Sequence, residues 1–279
     1  MLAVVWMLGA LASFSLMAVG ARELSGELPI FQSLFFRSVI GLIAISLVVL
    51  LSGRRRGLST QRLGLHTLRN VFHFGGQYGW FVGIGLLPLA EVFALEFTVP
   101  MWTMLIAAVT LGERINGRKL LSIGLGLVGV LIIVQPGLAV VNTASLIVIA
   151  SAICYSASHT ATKALSRSEP ALTILLYMCL IQLPIGGILA LPQWQWPVGS
   201  QWGWLLVIGL MALSAHFCMA KAMAHAEVST VVTLDFLRLP LIALIGVVFY
   251  AEPFEVAILL GGALMMTGNM LNIAASRRR

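Results

Sequence analysis

The basic residues of this 279-residue chain fall almost entirely on one side of a series of long apolar segments. If these segments cross a membrane ten times, 14 of the 17 basic residues lie on the side that holds both termini: Arg54, Arg55, Arg56, Arg62, Arg69, Arg114, Arg118, Lys119, Lys163, Arg167, Lys221, Arg277, Arg278 and Arg279. Lysine and arginine near the ends of transmembrane helices stay in the cytoplasm during insertion. The pattern therefore predicts a multi-pass protein of a bacterial-type inner membrane with both termini in the cytoplasm. Arg22 alone lies in an opposite loop, and Arg37 and Arg238 lie inside segments.

The composition excludes a water-soluble globular domain. Apolar residues make up 59% of the chain, charged residues make up 10%, and the mean hydropathy is +1.00. These few polar residues cannot cover the surface of a water-soluble protein of this size. The expected solvent is therefore the lipid bilayer. The net charge of +7 follows from the topology of short loops, and we expect no nucleic-acid partner. Three cysteines inside apolar segments predict neither a disulfide framework nor a metal site, and no cofactor is expected.

The predicted fold class is an all-α membrane protein with ten transmembrane helices. Each span needs about 20 mostly apolar residues, so ten spans with short loops nearly use up the chain. The predicted helices lie at residues 2–20, 30–51, 67–87, 90–111, 118–135, 143–163, 171–191, 202–222, 227–250 and 256–274.

The two halves of the chain resemble each other, which predicts one repeat over residues 1–137 and a second over residues 138–279. Similar short sequences recur in the same order: Ala90-Glu91-Val92 and Ala226-Glu227-Val228, Leu95-Glu96-Phe97 and Leu234-Asp235-Phe236, Gly112-Glu113 and Ala251-Glu252. Because each half has five spans, an odd number, the second half enters the membrane upside down. Inverted repeats are a recurring architecture of secondary transporters. Gene duplication in a structural membrane protein is the alternative.

Two acidic residues, Glu96 and Asp235, lie inside the predicted fourth and ninth helices. A carboxylate facing lipid is costly, so each is expected to face protein or a water-filled cavity, as a coupling residue or as part of a structural charge pair. Arg238 follows Asp235 by three residues and is its expected partner on the same helix face. For Glu96 the candidate partner is Arg37 of the second helix, and a protonated, neutral Glu96 is equally compatible with burial.

Pro100 and Pro240 follow these carboxylates at similar distances in the two halves. A proline inside a helix removes a backbone hydrogen bond and bends the helix. Bends at equivalent places in two repeats indicate a transport site, so both prolines are predicted gating bends. A static bend is the plainer alternative, because proline is common in membrane helices.

Aromatic and polar residues near these bends form a candidate substrate site. Aromatic rings would contact an apolar part of a solute, and the histidines would bind its polar end. The predicted substrate-binding residues are Tyr78, Trp80, Phe97, Trp102, Tyr155, His159, His216 and Phe217. Each of them alone is equally explained by helix packing.

The glycine patterns predict helix packing. Gly75, Gly79 and Gly83 recur every four residues, which permits close approach of a neighbouring helix. The sequence from Gly124 to Gly129 matches the dinucleotide-binding pattern, but it lies inside an apolar span with no preceding strand. Motifs of hydrolases, kinases and metalloenzymes are absent from the sequence, so an intramembrane enzyme is the weaker class and no metal site is predicted.

A series of motifs in both halves resembles the EamA branch of the drug/metabolite transporter superfamily: Pro100, Leu111-Gly112-Glu113-Arg114, Gly124 and Gly129, then more loosely Pro240, Ala251-Glu252-Pro253, Gly262 and Gly268. The resemblance covers essentially the whole chain and implies a basket-like bundle around a central cavity. The aromatic residues make the chain most similar to YddG-type exporters of aromatic and neutral amino acids. Ala251 departs from the pattern, which has glycine before this glutamate.

The resemblance implies an inner-membrane secondary transporter, not an enzyme, that exports aromatic and other neutral amino acids by alternating access around a central cavity. The alternative is an efflux carrier for drugs or hydrophobic cations, in which Glu96 and Asp235 supply negative charge beside aromatic faces. The expected partners are a small-molecule substrate and the lipid bilayer. The sequence leaves the oligomeric state and the energy coupling open.

Overall fold

A computed structural model describes residues 2–52, 60–111, 117–134, 142–165, 168–225, 234–235 and 237–276. Within these ranges the chain is all-helical, with eleven α-helices of eight or more residues. They are α1 Leu2–Glu23, α2 Ile30–Ser52, α3 Leu63–Leu86, α4 Leu89–Glu96, α5 Val99–Leu111, α6 Gly117–Val134, α7 Thr143–Leu165, α8 Ala171–Ala190, α9 Gln201–His225, α10 Arg238–Tyr250 and α11 Val256–Ser276. The predicted motif residues 112–114 and most of the predicted helix before residue 237 lie outside the described ranges.

Seven helical segments of the described chain are long and apolar enough to cross a membrane, and α4 and α5 together form one of them. The protein is therefore a multi-pass membrane protein. Helix α3 has the length of a span but carries a polar stripe, and α10 and the apolar part of α11 are shorter. Ten spans remain a prediction. The predicted helix bounds agree with the structure to within a few residues, except in the fourth and ninth predicted helices.

Three helices begin directly after a proline. Pro29, Pro88 and Pro170 precede α2, α4 and α8, and the carbonyl group of each proline accepts a hydrogen bond from a backbone N–H of the first helical turn. A proline at this position loses nothing, because the first N–H groups of a helix have no partner inside the helix. The sequence thus fixes where these helices start.

The helices pack in pairs that link the two halves of the chain. The most extensive contacts join α1 to α9, α3 to α7, α2 to α8 and α6 to α11. In the predicted repeats, α1 and α3 are the first and third spans of one half, and α7 and α9 are the first and third spans of the other. Exchanging the halves therefore converts the first pair into the second, as expected for two related halves.

Glycines allow two of these pairs to approach closely. In α3, a Cβ atom added at Gly79 would lie 3.1 Å from the carbonyl oxygen of Ile147 in α7, and one at Gly83 would overlap Val148. In α6, a Cβ atom at Gly129 would lie 2.8 Å from the carbonyl oxygen of Gly261 in α11. These contacts agree with the packing role predicted for both glycine patterns.

Helix α4 lies at the centre of the buried core. Its side chains Leu89, Val92, Phe93 and Leu95 have no solvent exposure. The helix contacts α7, α10, α11 and α6. Because these helices surround α4, its C-terminal end places Glu96 in the interior of the bundle.

One end of the bundle, here called the Glu169 end, joins the start of α3 to the connection between α7 and α8. The Glu169 carboxylate accepts hydrogen bonds from Thr60 and from His66 Nε2, and Arg62 donates to the carbonyl oxygen of Ala164 at 2.8 Å. Burial raises the pKa of the Glu169 carboxyl, but the hydrogen bonds from Thr60 and His66 outweigh it, and the pKa lies below its ordinary value. The ionised carboxylate therefore stabilises this end.

The other end, here called the Arg22 end, contains an ion pair between Arg22 and Glu252. Arg22 donates hydrogen bonds to Glu252 at 2.7 Å and to the carbonyl oxygen of Leu87 at 2.6 Å. The second oxygen of Glu252 accepts from the backbone N–H of Leu89, the first residue of α4, at 2.8 Å. This contact satisfies an N–H group that has no partner inside its own helix. Arg22, the exception to the charge pattern, is thus a structural residue at the junction of α1, α3, α4 and α10.

Candidate functional site

The predicted fourth helix is interrupted where it carries Glu96. Helix α4 ends at Glu96, Phe97 and Thr98 form a turn, and α5 begins at Val99. Pro100 therefore stands in the first turn of a new helix, where a proline removes no helical hydrogen bond. The sequence predicted a bend at this proline, and the structure has a break just before it.

The predicted ninth helix is also interrupted close to its carboxylate. Leu234 and Asp235 are helical, Leu237 is a turn, and α10 begins at Arg238, with Pro240 in its first turn. The turn at Leu237 thus lies between Asp235 and Pro240, as the turn at Phe97 and Thr98 lies between Glu96 and Pro100.

Arg238 connects the two interruptions. Its guanidinium lies 3.2 Å from Asp235 and 3.7 Å from Glu96, and only 4% of the residue is exposed. Glu96 also accepts a hydrogen bond from the indole N–H of Trp80 at 3.2 Å. We call Glu96, Asp235 and Arg238 the carboxylate–arginine cluster. Two carboxylates share one guanidinium, so the cluster carries one more negative group than positive groups.

Aromatic rings enclose the guanidinium. The centroids of Phe14, Phe93 and Phe97 lie 4.7, 4.9 and 5.3 Å from the central carbon of Arg238. Cation–π contacts of this kind strengthen as water is removed. The ring of Phe14 also lies 5.8 Å from the ring of His216 in α9, so Phe14 links the carboxylate–arginine cluster to the histidines.

A hydrogen-bonded set of polar side chains fills the interface of α3 with α7 and α8. The Nδ1 atom of His73 lies 2.7 Å from Gln77 Nε2 and 3.0 Å from Gln182 Nε2, which also lies 3.3 Å from Asn70 Oδ1. Arg69 donates to Asn70 Oδ1 at 2.7 Å and to Thr162 Oγ1 at 3.2 Å. We call Arg69, Asn70, His73, Gln77 and Gln182 the polar network. The Oε1 atoms of Gln77 and Gln182 are buried without a hydrogen-bond partner.

Three of the predicted substrate-binding residues gather beside this network. The ring of Tyr155 lies 5.5 Å from His73 and 6.3 Å from His159, and the rings of His73 and His216 are 6.2 Å apart. His159 is exposed, whereas Tyr155 and His216 are half-buried. Rings and hydrogen-bonding nitrogens therefore face a common region between α3, α7 and α9.

The remaining predicted substrate-binding residues are spread over other contacts. Trp80 and Phe97 are buried around the carboxylate–arginine cluster. Trp102 donates from its indole N–H to Thr98 Oγ1 at 3.0 Å, at the interruption itself. Tyr78 stacks on Phe31 at 4.7 Å, and Phe217 contacts Trp6. The structure thus brings Tyr155, His159 and His216 together, while Tyr78 and Phe217 make their ring contacts elsewhere.

The polar network as a set was not predicted from the sequence. Its members Asn70, His73 and Gln77 continue a stripe that begins at His66, because these four buried residues are three or four positions apart in α3. A polar stripe within a span is the signal that would have found them. The structure also pairs Glu96 with Arg238, and not with the alternative partner Arg37.

Among the residues that the structure describes, no group of three or more His, Cys, Asp or Glu side chains is arranged to hold a metal ion. The chemical groups available at the site are guanidinium, carboxylate, imidazole and amide groups beside aromatic rings. Such a site suits noncovalent binding of a small molecule with both a ring and polar groups.

Comparison with known proteins places the chain among membrane transporters. The model of the EamA-like transporter family matches residues 1–135 and again residues 142–274. A riboflavin transporter of Rhizobium johnstonii is 30% identical, over 98% of this chain and 91% of that protein. An S-adenosylmethionine uptake transporter of Rickettsia felis is 22% identical, over 98% of this chain and 92% of that protein. A solved crystal structure superposes with a TM-score of 0.68 at 21% identity, covering 99% of this chain and 98% of the other.

Proposed function

Because the chain belongs to the EamA-like transporter family of the drug/metabolite transporter superfamily, we propose that it moves a small metabolite with an aromatic ring across the membrane by alternating access. Aromatic and other neutral amino acids are the substrates predicted from the sequence, with export as the predicted direction. The riboflavin transporter of Rhizobium johnstonii adds the flavin ring to the same chemical class. The relative from Rickettsia felis is named for uptake and not for export, so the direction of transport needs its own measurement.

The observation that carries this proposal is the pair of interrupted helices joined by Arg238. Discontinuous spans at equivalent places in two repeats are where transporters of this kind bind substrates and coupling ions. Glu96 stands at the end of α4 and Arg238 at the start of α10, and their side chains are 3.7 Å apart. A movement of either half that separates these helices has to break this contact.

The helix pairing supports two repeats, 1–137 and 138–279, that exchange conformations. Helices α1 and α9 form one pair and α7 and α3 form the equivalent pair. If each pair adopts in turn the conformation now held by the other, the site opens first to one side and then to the other. The hydrogen bonds of Glu169 and the Arg22–Glu252 ion pair lie at the two ends, where access would alternate.

We propose further that the carboxylate–arginine cluster can hold one proton. Arg238 neutralises one of the two carboxylates, and the buried Oδ1 atom of Asp235 has no hydrogen-bond partner. A second carboxylate in a low-dielectric site is costly when ionised. Protonation of Glu96 or Asp235 would leave a neutral cluster.

The alternative of hydrophobic-cation efflux has less support. It assigns Glu96 and Asp235 to the drug cation, but both carboxylates already lie within ion-pair distance of Arg238. A cationic substrate would have to displace this arginine or use the single excess charge.

Counterflow in liposomes tests the proposed function without assuming an energy source. Vesicles with purified protein are preloaded with riboflavin, phenylalanine, tryptophan, S-adenosylmethionine or tetraphenylphosphonium and offered a trace of the same labelled compound. Label uptake for a ring-bearing metabolite supports the proposal, and uptake confined to the cation favours efflux. No uptake for any compound contradicts the proposed substrate class.

Two arginine variants provide the control. R238Q leaves two buried carboxylates without their partner and is expected to abolish counterflow. R118Q alters an exposed arginine at the start of α6 and is expected to have no effect. Equal counterflow by both variants would remove the interrupted helices from the mechanism.

A further inference from the structure

Arg37 is a buried cation without a counterion in the described chain. It lies in the first half of α2 and is 6% exposed. No hydrogen bond or ion pair joins it to any residue that the structure describes, in contrast to Arg22 and Arg238, which both contact carboxylates. A buried charge without a partner is strongly destabilising, so a structural role alone does not account for it.

Arg37 faces the polar network. It lines a small cavity together with Ser38, Cys179 and Gln182. Gln182 in turn bonds His73 and Asn70. Only the side chain of Gln182 therefore separates Arg37 from His73 and the rings of the candidate substrate site.

A second guanidinium lies in the same region. Arg69 is 4% exposed, and its hydrogen-bond partners Asn70 and Thr162 are neutral. Arg69 is linked to the cavity of Arg37, because Gln182 lines that cavity and bonds Asn70, the hydrogen-bond partner of Arg69. Two positive charges thus share a buried polar region in which the described residues provide no carboxylate within ion-pair distance of either.

Guanidinium groups in this situation suit an anion. The planar fork of arginine matches carboxylate and phosphate oxygens with two parallel hydrogen bonds, and these bonds are strong where water is excluded. An anion bound between Arg37 and Arg69 would supply the missing counterion. The adjacent ring of Tyr155 would then contact the rest of the molecule.

We propose that the transported metabolite carries an anionic group, a carboxylate or a phosphate, and that Arg37 and Arg69 bind this group while the aromatic part lies against Tyr155 and the histidines. This inference rests on the proposed function and narrows its substrate class to ring-bearing anions and zwitterions. The carboxylate–arginine cluster across Phe14 is then free for coupling.

Matched ligand pairs test the charge requirement on the purified full-length protein. Riboflavin and riboflavin 5′-phosphate differ by one phosphate, and N-acetylphenylalaninamide and N-acetylphenylalanine differ by one carboxylate. Binding is measured by titration calorimetry, and inorganic phosphate and benzoate are added alone in a thermal-unfolding assay. The anionic member of at least one pair is expected to bind at least tenfold more tightly than its neutral partner, and the preferred pair identifies phosphate or carboxylate.

Variants of Arg37 assign the preference to this residue. R37Q is expected to weaken binding of the anionic member at least tenfold and to change binding of the neutral member less than twofold. R37K keeps the charge but loses the fork, so an intermediate loss is expected at an unchanged unfolding temperature. R118Q, which alters an exposed arginine, is the matched control. If R37Q does not fold, R37K carries the same test.

Three outcomes would overturn the inference. In the first, the charged and neutral members of each pair bind equally well. In the second, R37Q or R37K weakens the binding of both members equally. In the third, none of the anions binds to the protein or stabilises it. Counterflow of a ring-bearing solute without charge preference would refute the anion site and leave the proposed transport standing. Anion binding that depends on Arg37, without any counterflow, would support the anion site and contradict the proposed transport.

Discussion

The guanidinium of Arg22 lies 2.7 Å from the Glu252 carboxylate, although 230 residues separate them in the sequence. The same arginine donates to the carbonyl oxygen of Leu87, and the same carboxylate accepts from the N–H of Leu89. One ion pair therefore ties the end of α1 to the α3–α4 junction and to the end of α10. These contacts hold the four helices together at this end of the bundle.

Removing this ion pair should open the Arg22 end. In R22Q the Glu252 carboxylate loses its charged partner, which costs about 1–3 kcal/mol for a half-buried group. A cysteine placed at Ala90, which is buried and lines a small cavity with Glu252, should react severalfold faster with a maleimide in R22Q, in a background lacking Cys154, Cys179 and Cys218. E27Q alters the exposed contact of Glu27 with Gln201 at the same end and should leave the rate unchanged. An unchanged rate in R22Q would mean that Arg22 does not limit opening.

Substitution E96Q should separate binding from coupling. It leaves Arg238 with one carboxylate, so the neutral cluster no longer needs a proton. We expect counterflow within about twofold of the unmodified protein and loss of the accumulation driven by a pH gradient. The measurement is labelled-substrate uptake into proteoliposomes with and without an imposed pH gradient. Full pH-driven accumulation in E96Q would exclude Glu96 as the proton site.

Trp102 allows a test of ring contact against hydrogen bonding at the interruption. W102F keeps a ring but loses the N–H donated to Thr98, and W102A loses both. If the ring contacts the substrate, W102A should lower the transport rate about tenfold, or about 1.4 kcal/mol, and W102F should retain most of it. Folded yield after size-exclusion chromatography is the control. Unchanged kinetics in W102A would remove Trp102 from the site.

The contact between α6 and α11 should tolerate no methyl group at Gly129. In G129A the new Cβ atom would meet the Gly261 carbonyl oxygen at 2.8 Å, so the helices must separate, at a cost of about 1–3 kcal/mol. Gly124 in the same helix has nothing within 4 Å, so G124A should be neutral or stabilising by up to about 1 kcal/mol. Thermal unfolding in detergent compares the two. Equal effects of both substitutions would contradict this packing.

The Glu169 end should weaken in acid. The pKa of the Glu169 carboxyl is lower in the folded protein than its ordinary value, so its stabilisation is fully present above the ordinary pKa and is lost as the pH falls through the folded pKa. At neutral pH, E169Q should lower stability by about 1 kcal/mol or less. The difference in unfolding temperature between the two proteins should shrink below about pH 4.5. A difference that stays constant down to pH 3 would argue against an ionised Glu169.

Most of the helical architecture was predictable because lipid imposes simple rules on sequence. The long apolar helices, and the starts of α2 after Pro29 and of α8 after Pro170, follow from apolar length and backbone hydrogen bonding. The close contacts of Gly79 and Gly129 were likewise predictable from spacing. Local rules determine each of these features, so a single sequence contains them.

The site was only partly predictable because it depends on contacts between distant helices. Asp235 and Arg238 were expected to pair, being three residues apart, but Glu96 joins them only because α4 packs against α10. The break at Phe97 and Thr98 precedes the proline that was expected to bend the helix. Ala251 departs from the glycine of the family pattern and has a φ of +50°, a conformation that favours glycine.

The α2–α8 and α6–α11 pairs have a consequence for how such a chain could arise. Each pair joins helices at corresponding positions of the two predicted repeats, the second with the second and the fifth with the fifth. A contact between corresponding surfaces is the kind that two identical subunits form across a twofold axis. If the two predicted repeats are inverted, these pairs are the contacts that a homodimer of five-helix chains, inserted in opposite orientations, would form before fusion into a single polypeptide.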